Sequence, residues 1–496
     1  MKQPLILRSP WLNREHGVTM VLVAIAMVAI VAMAAMSIDV ITLYLAREEA
    51  QRSADTAALA AARVISLSGM TGDPGNTTSN WQAICGGTSS PATQAATAIA
   101  LQNVVGGAVA NSVIVMYAGG GVSSPDCSKL PVSPPGVFGF NPMVTVQVQR
   151  TNLPSFFSRI WGKTGSSVSA RSTTEAFNPS LSGSIMGSIV PVQPSCVKPW
   201  IVPNRDPWTL GSLSGPYCDQ TGQKVCNAIV KTADGTIFHP GISLNGGNSQ
   251  GIIGETFWLN ADCQYSPANC QLQTQPRANY VNLAAGLHIQ PPPSLHYVPG
   301  QVLNNAAAVP SCGSSSTWET AVAGCDQSTL YQCGVQSSNT ASPNMVDLSE
   351  NPAGSGDTTN GLQCLIHEVD ASDGQPDGQD TLNLYSAPSS YPFQILAGTS
   401  NPLVATGLAS GSPISSSVSI ASLPIYDDQA VTIGLGTTPV TIIGFLQVFI
   451  NAVDQYGNVN VTVLNVVGCS NGSGPSVGTN PVTGTSPVPT RIITPQ

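Results

Sequence analysis

The pattern of apolar and polar positions changes character near residue 68. Residues Val18 to Ile38 read VTMVLVAIAMVAIVAMAAMSI, 21 positions with no charge. Wound as an α-helix they extend about 31 Å, close to the ~30 Å hydrocarbon thickness of a bilayer. The apolar run does not end the helix. From Asp39 to Leu67 neither Gly nor Pro occurs, and the strong helix formers Ala, Leu, Arg and Glu dominate. Within this stretch Leu43, Ala46, Ala50, Ala54, Ala57 and Ala61 recur at steps of three and four. That spacing predicts a narrow stripe of small side chains, against which another helix or a sheet can approach closely. Gly69 and the Thr-Gly-Asp-Pro-Gly turn at 71–75 punctuate its end.

Beyond the turn the period shifts from helical to alternating. Residues 143–177 hold two strand-like segments, with Val144, Val146 and Val148 on one face of the first and Val168, Ala170 and Ser172 marking the second. A Pro-Ser-Phe-Phe turn of helix and Gly162 connect them. After Pro179 the chain becomes rich in Pro, Ser and Gly. Residues 191–208 read as a rigid extended strap, and short β-type runs follow at 235–244, 251–259, 280–289 and 301–305. Residues 381–469 form the clearest β stretch, with Gly457-Asn458 at an expected hairpin turn. From Ser470 the Gly/Ser/Thr/Pro-rich text predicts a flexible tail, up to Arg491-Ile492-Ile493. The fold class expected is α+β: one N-terminal transmembrane helix continuing into a long helix packed on a small sheet, then a β-rich, disulfide-containing exported region.

Composition sharpens this. Only 9% of residues are charged and the net charge is -9, with no basic run. The electrostatic footprint for nucleic acid is therefore missing. Gly and Pro together stay under a fifth of the chain and 42% of residues are hydrophobic, so packed domains are expected rather than low complexity. Of the 12 cysteines, 11 lie after residue 120. No C-x-x-C occurs, and spacings such as Cys218 to Cys226 fit no zinc motif, so disulfides in an oxidising compartment are the better reading. Cys85 and Cys127 stand apart from the cluster and are candidates to pair with each other. The cluster of Cys196, Cys218, Cys226, Cys263, Cys270, Cys312, Cys325, Cys333 and Cys364 leaves its connectivity open.

Catalytic constellations are scarce. The five histidines form no metalloprotease pair, and His288 and His296 flank a proline-rich loop. The G-x-S-x-G match around Ser249 is followed by a β-type run where a nucleophile elbow needs a helix. Gly162-Lys163-Thr164 ends like a P-loop, but Phe157 stands where its first Gly belongs. Neither an enzyme nor a small-molecule substrate is expected. One ion site is a candidate: Asp370, Asp373, Asp377 and Asp380, interleaved with Gly374 and Gly378, offer four carboxylates to calcium on a turn-rich loop. Their spacing misses the EF-hand pattern, and a solvated acidic loop is the plainer reading. No other cofactor is expected.

Lys2, Arg8 and Arg14 precede the apolar span, so the N-terminus is expected in the cytoplasm and the cysteine-bearing bulk outside it. Val18, Leu22, Ile25, Ile30 and Ile38 would be the lipid-facing anchor. A cleaved signal peptide ending near Ala32-Met33-Ala34 is the competing reading, but the apolar stretch exceeds the usual ~7–15 residues.

The order of features in this segment, Gly17, an apolar span, Ile38-Asp39-Val40, Tyr44-Leu45-Ala46-Arg47, Gln51 and Ala54-Asp55 followed by Ala57-Ala58-Leu59-Ala60, resembles the N-terminal signature of TadE/TadG-like proteins of Flp (Tad) pilus assembly. Ile41-Thr42 replaces the family's frequent Gly-Arg. The strands at 143–177 look like the end of the family's pilin-like domain. The resemblance implies a membrane-anchored, non-enzymatic component of pilus assembly in a bacterial inner membrane. Its expected partners are the membrane and other pilin-like or Tad secretion-machine proteins. Prepilin processing would favour a Glu at the fifth position after Gly17, where Leu22 stands, so an uncleaved anchor is expected. Either Asp39 or Asp55 could pair with a basic residue on a partner's helix; for Asp39 the membrane–water boundary is the favoured reading, and for Asp55 the two readings stand even. Some relatives carry a von Willebrand A domain, but the nearest matches here, at Asp347 and Asp326, lack its second Ser. The implied division is 1–17 cytoplasmic, 18–38 transmembrane, 39–178 pilin-like, 179–380 Cys/Pro/Gly-rich, 381–469 β-rich and 470–496 flexible tail. A surface adhesin using the same anchor is the alternative.

Overall fold

The computed structural model describes residues 15–67, 69, 82–119, 121–130, 141–155, 157, 162, 165–180, 192–194, 197–208, 228–240, 251–261, 293–302, 312, 316–324, 331–332, 344–350, 356–383, 394–414, 416–431, 433, 436–469, 482–484 and 486–493. It shows the expected α+β class. Helix α1 runs unbroken over Glu15–Leu67, 53 residues. Its second half lies on a five-stranded antiparallel sheet built from β1 (Ser112–Gly119), β2 (Val122–Ser124), β3 (Met143–Leu153), β4 (Ser166–Ala176) and a last strand from the C-terminus, described below.

The packing follows from side-chain size. Ala50, Ala54, Ala57, Ala58 and Ala61 are 0% exposed, and Val144, Val146 and Val148 meet them from β3. With only methyl groups between them, the backbones come close enough for Thr174 Oγ1 to donate to the Ala58 carbonyl at 2.9 Å. A second helix, α2 (Pro91–Gln102), lies against α1 through Ala92, Ala96 and Ala100. Ser53 Oγ donates to the Ala100 carbonyl at 3.2 Å, so this buried hydroxyl is satisfied. Cys85 and Cys127 are disulfide-bonded, closing the short helical turn Gln82–Cys85 onto the turn Cys127–Lys129.

The rest of the chain centres on a closed six-stranded barrel. Its strands are β5 (Trp200–Pro203), β6 (Thr256–Ala261), β7 (Ser294–Pro299), β8 (Ile420–Tyr426), β9 (Ile442–Val453) and β10 (Val459–Gly468), in the order β7-β5-β8-β9-β10-β6. The β9–β10 hairpin turns at Gly457, where φ is +79°, as the sequence predicts. Asp454 holds that turn by accepting from Tyr456 N and Asn458 N, both at 2.9 Å. β9 is buried along nearly its whole length, which explains a continuous apolar run in place of alternation. Outside it sit α3 (Thr317–Ala323), α4 (Asp357–Ile366) and small strand pairs. Ser316 and Glu319 begin α3 as a capping pair, and the buried Lys198 Nζ closes it by donating to the Val322 and Gly324 carbonyls at 2.6 and 2.8 Å. Burial pulls the Lys198 ammonium down to about 7. Cys312 and Cys364 are disulfide-bonded, the latter on α4.

Three expectations are corrected. A division at 380/381 cuts through the barrel, since β5–β7 precede it and β8–β10 follow it. Strand pairing between segments more than a hundred residues apart is a long-range choice that local pattern does not encode. Of the short β-type runs, 251–259 yields a strand only from Thr256, 235–240 has only the bridge Val230↔Ile237, and 301–302 is not strand; 241–244, 280–289 and 303–305 lie outside the described residues. The flexible-tail reading fails at its end: β11 (Thr490–Ile493) pairs antiparallel with β4 and becomes the sheet's outer strand. Arg491 Nε donates to the buried Glu175 at 2.7 Å, an attachment that composition cannot reveal.

The barrel and the helix-bearing sheet share one apolar core, joined where Asn465 Nδ2 donates to the Ser66 carbonyl at 2.5 Å and Asn178 Nδ2 to the Gly468 carbonyl at 3.0 Å. Gly468 is obligatory there, because a Cβ would collide with the Gly235 carbonyl. The alanine seam generates a test. Replacing Ala54 by Leu should destabilise the folded chain by about 1–3 kcal/mol through overpacking, read as a lowered midpoint in chemical denaturation.

Candidate functional site

The candidate site is the first two-thirds of α1 and the groups that hold it. Among the described residues α1 is the one helix long and apolar enough to cross a membrane. Val18, Leu22, Ile25, Ile30 and Ile38 are 47–63% exposed, and the exposed apolar surface continues through Val40, Ile41, Tyr44 and Leu45. From Val18 to Leu45 the helix rises about 42 Å, enough for the hydrocarbon layer and the interfacial region beyond it. Water would penalise such a surface; lipid does not.

A single packed face interrupts that surface. Ala35 and Asp39 are 7% exposed, one turn apart, and they lead into Ala46 and Ala50 on the same side of the helix. Phe157 N, in the connection between β3 and β4, donates to the Asp39 carboxylate at 3.1 and 3.3 Å. Beyond the membrane-boundary position expected of it, Asp39 is a buried acceptor that ties the helix to the end of the β3–β4 hairpin. The sequence showed an acid at the close of an apolar run but not the backbone amide, 118 residues away, that it holds.

Asp55 has an internal partner as well. It accepts from Gln51 Nε2 at 2.8 Å, and the same Gln51 nitrogen reaches the Arg171 carbonyl of β4 at 3.2 Å. Glu49, which the sequence did not single out, accepts from Gly106 N at 2.7 Å. Gly106 has φ +59°, and its approach to Ala46 and Leu153 leaves no room for a side chain. Asp39, Glu49 and the Gln51–Asp55 pair thus fasten α1 at three heights. Tyr44 and Arg47 do the opposite: both are exposed, Tyr44 by 66%. Gly17 has open space around it. The Arg52–Glu48 pair at 3.8 Å is solvent-exposed and contributes little.

The acidic loop 370–380 is not assembled around a centre. Asp370 and Asp373 accept from the amides two residues on, Ser372 N and Gln375 N, in ordinary turns. Asp380 is buried and takes Gly398 N, Asn401 Nδ2 and Ser417 Oγ at 3.0, 2.7 and 2.6 Å. Its oxygens thereby stitch the loop to neighbouring chain. Among the described residues no group of three or more His, Cys, Asp or Glu is arranged to hold a metal. Ser249 and His288 lie outside the described residues, as do Cys196, Cys218, Cys226, Cys263, Cys270, Cys325 and Cys333. The Cys85–Cys127 pairing agrees with expectation, and Cys312 finds Cys364.

Among the buried acids that the sequence reading passed over, Glu255 and Glu368 are shifted upward. Glu255 is 0% exposed, neither of its carboxylate oxygens meets an N–H or hydroxyl donor, and the Asp206 carboxyl is its neighbour. Burial first, then the Asp206 charge and hydrogen bond, push it up to about 10, so the pair is held by a proton. Glu368 is pushed up to about 7, chiefly by burial and further by Asp373 and Asp377, against the bonds it accepts from Val453 N and Gln379. Nothing in spacing marks either residue, because the burial arises from distant strands.

Two outcomes follow. Asp39→Ala leaves the Phe157 amide unpaired and should cost about 2 kcal/mol, measured by denaturation in detergent. Because the folded value of Glu255 lies above its ordinary 4.5, its contribution is complete below about pH 4.5 and is lost as pH rises towards about 10. Glu255→Gln, which stays neutral, should therefore gain melting temperature relative to the unsubstituted chain at pH 9 but not at pH 4.

Comparison with known proteins agrees with this part of the chain. No curated protein and no solved structure matches it. The family model described as "Putative Flp pilus-assembly TadE/G-like" matches residues 17–64, from the start of the apolar span to the end of the alanine stripe, and the chain therefore carries an N-terminal Tad domain.

Proposed function

We propose that this protein is a non-enzymatic, membrane-anchored component of Flp/Tad-type pilus assembly, held in the bacterial inner membrane by α1. The observation that carries the reading is the division of labour along the Tad segment. One face of α1 is locked to its own sheet through alanines and Asp39, while Val18 to Leu45 otherwise present apolar side chains outward. Such a helix serves lipid below and other helices above. The basic residues Lys2, Arg8 and Arg14 support a cytoplasmic N-terminus. The disulfides Cys85–Cys127 and Cys312–Cys364 support an oxidising compartment for the rest, periplasmic or extracellular. Tyr44 and Arg47, exposed just beyond the apolar span and not used in the packing of α1, are available to partners. Leu22 at the fifth position after Gly17 supports a retained anchor over a processed fibre subunit.

Substituting Tyr44 and Arg47 together by Ala in the chromosomal copy should lower surface piliation roughly tenfold or more with unchanged protein level, a loss of about 1.4 kcal/mol or more at a partner contact. Unchanged pili with lost surface attachment would instead favour an adhesin on the same anchor. N-terminal sequencing of purified protein should read from Met1 or Lys2. A start at Val18 would make it a processed pilin, and one near residue 35 a secreted protein.

A further inference from the structure

The outer edge of the helix-bearing sheet is closed by the chain's own last strand. β11 pairs with β4 from Thr490↔Ala176 to Ile493↔Thr173, and Phe177 N extends the ladder by donating to the Pro489 carbonyl at 3.2 Å. The contact is chemically selective. Glu175 is 0% exposed and accepts from Arg491 Nε at 2.7 Å, and Asn141 Nδ2 reaches its other oxygen at 3.4 Å. The Arg491 guanidinium lies 4.8 Å from the centre of the Phe177 ring, and Ile493 is 8% exposed. Main-chain pairing with one charged side chain seated on a buried partner is how a sheet edge recognises an extended peptide.

We propose that the outer edge of β4 is a strand-acceptor site that takes Thr490–Ile493 of a second copy in place of the chain's own, so that copies associate by strand exchange. The site is matched residue by residue to a sequence every copy carries, so exchange preserves each bond, the condition under which swapping an element between protomers is inexpensive. An empty β4 edge would expose a row of unpaired backbone groups and the Glu175 carboxylate, which favours refilling by whichever copy is nearest. Gly484, in a short parallel pair with Val192–Pro194, leaves about 17 Å of extended chain to Pro489. Anchoring copies in one membrane raises their effective concentration; this last support rests on the membrane reading, whereas the site itself does not.

The test co-expresses two full-length chains with different tags, one carrying Thr173→Cys and the other Ile493→Cys. Exchange yields a disulfide-linked species bearing both tags, at least tenfold reduced when the second chain also carries Arg491→Ala. A single chain with both cysteines reports the register by cross-linking within itself. An internal cross-link without the mixed species would overturn exchange and leave a purely internal clasp. Absence of both would overturn the site. Neither result bears on piliation, so failure here is distinct from failure of the assembly reading.

Discussion

Close approach between α1 and the β3–β4 face is the constraint on which the architecture depends. A helix carrying Leu or Ile at positions 50, 54, 57 and 61 would stand farther from the sheet, and the Thr174 hydroxyl could not reach the Ala58 carbonyl. Alanine gains little burial energy per residue. It is also the best helix former and loses no side-chain entropy, so a seam of alanines gives a straight, rigid connection between the lipid-exposed part of the chain and everything folded after it. Ser66 and Gly69 then hand that rigidity on: the Ser66 carbonyl accepts from Asn465 of β10, and Gly69 sits against Ile253.

The polar residues of the Tad segment take their meaning from this seam. Asp39, Glu49 and the Gln51–Asp55 pair each lie at the edge of the alanine stripe and reach a backbone group or a side chain beside it. They fix the rotation and height of α1 relative to the sheet, a requirement for any helix that must present one defined face to its surroundings. Tyr44 and Arg47, by contrast, are exposed and are left over by the internal packing.

The larger, barrel-centred part is built by different means. Its strands come from widely separated stretches, and its buried polar groups are satisfied by long-range partners: Lys198 at the end of α3, Asp380 among three donors, Glu175 with Arg491. Each is a local violation of the apolar rule compensated by tertiary structure. The Asp206–Glu255 pair is compensated by a proton instead, which makes this part of the molecule more secure in acid than in alkali.

How much was legible follows from the range of the forces involved. The helix from Val18 to Leu67, its lipid-matched length, its small-residue face, the strands at 143–153 and 166–176 and the turn at Gly457 were all written locally, in periodicity and in the few residues able to adopt special backbone conformations. Even Cys85–Cys127 stood out by isolation from the other cysteines. The barrel did not, because closing it needs β6 beside β10 and β5 beside β8 across two hundred residues, and no short window encodes a partner. Nor did the attachment of Arg491 to Glu175 or the acceptor role of Asp39. Composition and period decide what a segment can become; which amide, carboxylate or strand edge it meets is decided only when distant chain is brought within hydrogen-bonding distance.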